Sequence, residues 1–130
     1  LNIIAGNQGD IYGKIQTQTV VNVFTANAEE NGQIEIEIPE NHQSLIYLLD
    51  GEILINDTEV LQKGAHQMAI FHQDGNTIKF KTQKESSILI LSGEPIKEKV
   101  TQYGPYVMNT QTEILEAMRD YQQGKMGYLY

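Results

Sequence analysis

Cysteine is absent from this 130-residue chain, and basic residues are few, nine Lys and Arg against seventeen Asp and Glu. Without cysteine there is no disulfide framework, no thiolate metal site and no thiol nucleophile, so the fold must be held by its core. That usage fits a reducing compartment, and the cytoplasm is the expected location. The formal charge of −8 produces a field that repels nucleic-acid phosphates at long range, which argues against direct DNA or RNA binding. The one local basic group, Lys79, Lys81 and Lys84, would share the polar side of a strand and its exit, and reads as a solvated face rather than a phosphate track. The longest apolar run, Leu45 to Leu49, falls far short of the ~20 residues that span a bilayer, so no membrane segment is expected. The opening residues Leu1-Asn2-Ile3-Ile4-Ala5 carry neither an initiator Met nor a basic signal stretch, and the chain is expected to begin in mid-protein.

What is present is ordinary for a globular domain: 40% hydrophobic and 20% charged residues, in a length for which one core suffices. Gln33-Ile34-Glu35-Ile36-Glu37-Ile38 alternates strictly, which puts isoleucines on one face of a strand and glutamates on the other. Glu35 and Glu37 therefore read as a solvated face before they read as an acid–base pair. Leu45 to Leu49 and Ile88 to Leu91 are apolar on both faces, as expected of central strands covered on two sides. Asp50-Gly51 between Leu45–Leu49 and Ile53–Ile55 predicts a tight hairpin. Turn chemistry at Asn56-Asp57, Lys63-Gly64 and Asp74-Gly75-Asn76 divides the middle into further short strands, Met68 to Phe71 and Thr77 to Lys81 among them. Turns at such spacing indicate an all-β sandwich or barrel.

The pattern changes after Pro95. Strands are expected over about residues 1–93 and an irregular, aromatic-rich connection over 94–109, followed by one C-terminal α-helix over about 111–123, the whole of 1–130 forming a single domain. Thr110 and Glu113 have capping-box spacing. Ile114, Leu115, Met118 and Tyr121 follow at helical intervals, and Gly124 supplies a stop. The apolar stripe must cover either the barrel itself or a neighbouring domain.

Leu91-Ser92-Gly93-Glu94-Pro95-Ile96 and Tyr103-Gly104-Pro105-Tyr106-Val107-Met108-Asn109-Thr110 resemble the closing segments of the pirin family's second half, Gly-x-Pro-Leu and Tyr-Gly-Pro-Phe-Val-Met-Asn-Thr, with Ile96 for Leu and Tyr106 for Phe. The resemblance extends through Glu113-Ile114, Ala117, Asp120-Tyr121 and Gly124, and back to Tyr47-x-x-Asp50-Gly51. Lys99, where many pirins have Pro, is a departure. The resemblance implies a cupin-like β-barrel or jelly roll, the C-terminal partner of a companion N-terminal cupin domain. It further implies that iron is held in the companion by three histidines and a glutamate, and that the quercetin 2,3-dioxygenase-type activity of some members belongs there. On that reading this chain holds no cofactor and no catalytic residue, and Tyr103 to Thr110 with Glu113 is a structural or interdomain segment.

A cupin metal site needs a His-x-His pair, because residues two apart on a strand point to the same interior, together with a further His and a carboxylate. The three histidines here, His42, His66 and His72, are each isolated. A three-histidine cluster at the barrel rims stays a candidate beside the plainer reading of hydrogen-bonded or exposed loop histidines. No Gly-x-Ser-x-Gly elbow and no phosphate loop occurs. Three functions remain: an accessory barrel that braces a companion; a stand-alone module enclosing a small apolar molecule; and a protein-interaction domain acting on transcription through a protein partner, which the family resemblance makes plausible.

Overall fold

Period-two alternation sets the first part of the chain into two facing antiparallel sheets, in a computed structural model that describes residues 1–127. The strands are β1 (Asn2–Ala5), β2 (Asn7–Gln8), β3 (Ile11–Tyr12), β4 (Val21–Ala28), β5 (Gln33–Glu37), β6 (Gln43–Asp50), β7 (Glu52–Ile55), β8 (Glu59–Gln62), β9 (Met68–Ile70), β10 (Thr77–Thr82) and β11 (Ser86–Gly93). One sheet has the order β1-β4-β11-β6-β9 and the other β5-β10-β7-β8, while β2 and β3 form a separate small hairpin. These strands belong to a compact unit, Leu1–Pro95; a second unit begins at Ile96.

The inward positions of the five-stranded sheet supply Phe24, Ile46, Leu48, Ile88 and Ile90, and those of the four-stranded sheet supply Ile36, Ile53, Ile55, Ile78 and Phe80, in one continuous core. Phe24, Ile36, Ile46, Leu48, Ile53 and Ile90 have no exposed surface, and burial of each such side chain contributes about 1.5–3 kcal/mol. The alternating Ile–Glu strand is β5, with Ile36 buried between exposed Glu35 and Glu37.

Two expectations need correction. Asp50-Gly51 does not close a hairpin: β6 pairs with β11 and β9, whereas β7 pairs with β10 and β8, so the chain passes there from one sheet to the other. Gly51 has φ +93°, and a Cβ on it would run into Ser86 and the Glu85 carbonyl, so glycine alone permits the sheets to approach at this corner. The tight hairpin is the next turn, between β7 and β8, where Asn56 (φ 48°) and Asp57 (φ 59°) take the two left-handed conformations of a type I′ turn. Thr58 N–H donates to the Ile55 carbonyl across it at 3.0 Å. Secondly, β6 and β11 are central as expected, but the first unit covers only their inner face. On the outer face of the same sheet Tyr47, Leu49, Met68 and Ile70 are exposed.

The second unit contains β12 (Thr101–Tyr103), β13 (Tyr106–Met108) and α1 (Gln111–Gln122). The expected irregular connection is thus in part an antiparallel hairpin, turning on Gly104 at φ 54° followed by Pro105. Gly at the first central position suits a type II′ turn, and strands of three residues are too short to display alternation. The helix starts as expected: Thr110 Oγ1 accepts from Glu113 N–H, and the Glu113 carboxylate accepts from Thr110 N–H, a complete capping box. It ends at Gln122, with Gly124 in the left-handed region at φ 70°. The helix lies against β12 and β13 and buries Ile114 and Ala117, while Leu115 and Tyr121 of the expected apolar stripe are exposed. Among the described residues no helix is long and apolar enough to cross a membrane.

Gly51→Ala combines a left-handed backbone with a steric collision, so urea unfolding is expected to show a loss above about 1 kcal/mol. A variant as stable as the parent would show that the sheet-to-sheet corner does not depend on the missing Cβ.

Candidate functional site

Three strands that bury apolar residues also carry inward polar residues at one end. Asn22 precedes Phe24 and Ala26, Ser44 precedes Ile46 and Leu48, and Ser92 follows Ile88 and Ile90. His42 stands one residue before β6, in phase with Ser44. Asn22, His42, Ser44 and Ser92 are all buried, and burial of polar groups is tolerated only where they are hydrogen-bonded.

Asn22, Ser92 and His42 are hydrogen-bonded in a chain. Asn22 Oδ1 accepts from Asn7 N–H at 3.3 Å, and Asn22 Nδ2 donates to Ser92 Oγ at 3.1 Å. Ser92 Oγ lies 3.1 Å from His42 Nδ1. The serine oxygen accepts from the amide and its hydroxyl proton can go to Nδ1, an arrangement open to the neutral imidazole with its proton on Nε2. Burial pushes the His42 imidazole below its ordinary value of 6.5, and the nearby Glu94 carboxylate offsets part of that shift. Desolvation thus favours the neutral form of His42.

His42 and His72 line one pocket of about 60 Å³ together with Asp74, Asn56, Ser44 and Thr77, while His66 does not line it. His66 and His72 are exposed. Among the described residues no three His, Asp or Glu side chains form a group that could hold a metal ion. The donor set therefore does not fit a cupin metal centre: the residue two after His42 is Ser44, and Nδ1 of His42 is occupied by Ser92. The buried polar chain was missed in the sequence reading. Its signal was a polar residue at an inward, period-two position of three otherwise apolar strands.

The remaining candidate residues sit elsewhere. Lys79, Lys81 and Lys84 form ion pairs with Glu35 (3.4 Å), Asp57 (2.7 Å) and Glu52 (2.9 Å) on the four-stranded sheet and its turns, a solvated, internally neutralised face. In the second unit Tyr103 and Val107 are exposed and Tyr106 and Met108 half-buried, with Gly104 and Pro105 at the turn. Asn109 Nδ2 donates to Glu98 Oε2 and to the Lys99 carbonyl, both at 2.9 Å, and the Asn109 carbonyl accepts from Thr101 Oγ1 at 3.2 Å. The octapeptide Tyr103 to Thr110 thus builds one hairpin and the start of the helix. Glu113 is held below its ordinary value of 4.5, chiefly by the Thr110 hydroxyl and then by the Thr110 amide.

Two facing antiparallel sheets with a filled interior and a sheet-to-sheet corner at Gly51 define a cupin-type β-barrel. Within that class, the model of the pirin C-terminal cupin domain matches residues 23–127, and the chain belongs to that family. Pirin of Rattus norvegicus is 32% identical over 129 residues, which cover 97% of this chain and 44% of that protein. A pirin-like protein of Solanum lycopersicum is 30% identical over 129 residues, covering 98% and 44% respectively. The crystal structure of a quercetin 2,3-dioxygenase from Acinetobacter baumannii superposes with a TM-score of 0.86 at 32% identity, covering 98% of this chain and 44% of that one. The chain spans less than half the length of these relatives.

The depressed His42 value has a defined consequence for stability. A basic group whose folded-state value lies below its unfolded one contributes its full stability above the unfolded value of 6.5, and that contribution falls as pH drops through 6.5 toward the folded value. Urea unfolding between pH 7.5 and 5.5 is expected to show stability falling with pH, with the fall reduced in His42→Gln. The carboxylates with depressed values, Asp50, Asp57 and Glu113, act in a lower window, because they lose stability only as pH falls through and below ordinary values of 3.8 to 4.5. An unchanged slope in His42→Gln would remove His42 from the pH response.

Proposed function

We propose that this chain is the accessory, non-catalytic barrel of a two-barrel pirin-like polypeptide, whose companion cupin domain binds iron and carries oxygenase chemistry of the quercetin 2,3-dioxygenase type. The observation that carries this reading is the filled interior. Where a catalytic barrel keeps metal and substrate, this one packs Phe24, Phe80, Ile46, Leu48, Ile53 and Ile90 against one another. The pocket of about 60 Å³ beside His42 is far below the ~300–1,000 Å³ of ordinary small-molecule sites. A flavonol inside the barrel would have to displace core side chains whose packing holds the sheets together.

The residues after Pro95 supply the bracing element. Ile96, Val100, Tyr103, Val107, Leu115, Tyr121 and Met126 are each more than half exposed, a high density of large apolar side chains for so short a stretch, and such clusters mark interaction surfaces. The hairpin and capping box hold Tyr103, Val107 and Leu115 in fixed positions. The iron is the companion's, and this chain's residues would act on it only by position.

The longer polypeptide tests this directly. Substituting Val107 and Tyr121 together by Asp is expected to lower iron content and flavonol turnover by about 10- to 100-fold, the cost of disturbing groups that position a site without touching substrate. His42→Ala is expected to leave turnover per bound iron unchanged. Loss of turnover in a folded, iron-loaded His42→Ala protein would place catalysis in this barrel and defeat the proposal.

A further inference from the structure

The four-stranded sheet ends in β5, which has a strand neighbour on one side only, β10. In an antiparallel ladder successive residues turn their backbone groups alternately toward and away from the partner strand. Ile38 N–H donates to the Asn76 carbonyl at 2.8 Å, and the Gly32 carbonyl accepts from Thr82 N–H at 2.9 Å, so the even-numbered residues face β10. The N–H and C=O groups of Gln33, Glu35 and Glu37 therefore point outward from the sheet edge. At Glu37 a side chain stands where a further strand would: with its amide turned to satisfy both groups, Gln8 accepts from Glu37 N–H at 3.1 Å and donates to the Glu37 carbonyl at 3.3 Å. Among the described residues no side chain and no other strand bonds to the outward backbone groups of Gln33 and Glu35. Such an edge is a template for an added strand, and Gln8 shows at one position the peptide-like group it accepts.

Charge decides what that strand can be. Between Lys14 and Lys63 the sequence holds no Lys or Arg, while Glu29, Glu30, Glu35, Glu37 and Glu40 lie along β5 and its two ends, all exposed. Among the described residues only Glu35 of these is ion-paired, with Lys79 at 3.4 Å. A second copy is disfavoured, because antiparallel pairing centred on Glu35 would set Glu35 directly against its own counterpart. A strand with Lys or Arg at the outward positions meets opposite charge instead. Its intervening positions would adjoin half-buried Ile34 and buried Ile36, which suits apolar side chains. Past the Gln8 cap, a hollow of about 430 Å³ opens between Asn7, Gln8, Glu37, Glu40 and Asn76, room enough for one long basic side chain between two carboxylates.

We infer that the open edge of β5 docks an extended segment of another protein, added as a strand beside Gln33 and Glu35, in which Lys or Arg alternates with apolar residues and one basic side chain enters the hollow between Glu37 and Glu40. Backbone hydrogen bonds then give affinity, and the alternate side chains give selectivity. The site is built from this chain alone and is independent of the two-barrel reading.

A blocked peptide of about eight residues, within the usual range of strand lengths, with Lys and Val alternating, tests it by fluorescence anisotropy and amide hydrogen exchange on the 130-residue chain. Exchange at Gln33 and Glu35 is expected to slow at least about tenfold at saturation, as their N–H groups become bonded. Glu35→Pro deletes an outward N–H and leaves the bonds of Ile34 and Ile36 to β10, so circular dichroism is expected to hold while affinity falls more than about tenfold. Glu35→Gln keeps the N–H and removes the charge, with several-fold weaker binding expected; it carries the test should the proline variant not fold. A peptide with Glu in place of Lys is expected not to bind. Unprotected Gln33 and Glu35 in the saturated complex would overturn the inference. Full affinity in a folded Glu35→Pro protein, or in Glu35→Gln, would do the same, by reducing the interaction to diffuse attraction between opposite charges. Equal binding of the two peptides would overturn the basic partner. Protection of β5 that arises without peptide as protein concentration rises would give the edge to a second copy and overturn the inference likewise. None of these results depends on iron content or flavonol turnover, so a failure here leaves the accessory reading standing.

Discussion

Closure of two sheets over a shared apolar layer is the constraint on which everything else in the first unit depends. Phe24 and Ile90 from one side and Ile36, Ile53 and Phe80 from the other meet in one cluster, each almost wholly buried. The approach is possible because the chain crosses between sheets at Gly51, where any side chain would strike Ser86. Ser86 itself is tied into the corner, accepting from Glu52 N–H at 3.0 Å and donating to the Lys84 carbonyl at 2.7 Å. A close-packed interior loses free energy when groups are removed and also when they are forced in. The packing that stabilises this barrel therefore leaves little space between its sheets.

Much of this was legible in the residues, and the misses have physical reasons. Strict alternation located β5, because a half-buried strand leaves a period-two record, while continuous apolar runs located β6, β7 and β11 and turn residues marked off β10. The capping box at Thr110 and Glu113 was readable because both hydrogen bonds are local. Asp50-Gly51 was misjudged because a glycine with positive φ serves a hairpin and a change of sheet equally well, and only long-range pairing tells them apart. β12 and β13 left no periodic trace at three residues each, although Gly104-Pro105 was already a turn signal. The outer faces of β6 and β11 were expected to be covered, and a both-faces-apolar strand does predict a cover without saying which polypeptide segment supplies it.

At the polar end of the core the one buried histidine is held by hydrogen bonds to neighbouring strands. His42 occupies an inward position where a ligand could stand, yet its Nδ1 is committed to Ser92, Ser92 to Asn22, and Asn22 to the backbone of Asn7. A single His among Asn and Ser is satisfied as a neutral hydrogen-bonding group, and burial holds it in that form. Identifying this from sequence required knowing that residues 22, 42 and 92, far apart along the chain, lie together. The register of β4 and β11 pairs Asn22 with Ser92, and that of β6 and β11 pairs Ser44 with Ser92.

Charge and apolar surface are partitioned, and the partition links stability to assembly. Acid–base pairs such as Lys79 with Glu35 lie on the four-stranded sheet and are exposed, so each contributes at most about 1 kcal/mol. Their chief effect is to keep that side wetted and unattractive to a hydrophobic partner. On β4, β6, β9 and β11 of the five-stranded sheet the one charged residue is Asp50, at the end of β6 and ion-paired with Lys63 at 2.9 Å, so little desolvation cost opposes an apolar contact over the rest of that face. A free barrel gains nothing from leaving Met68 and Ile70 in water; a barrel that packs against another sheet gains in proportion to the apolar area it covers. Charge is thus concentrated on one face of the first unit and apolar surface on the other.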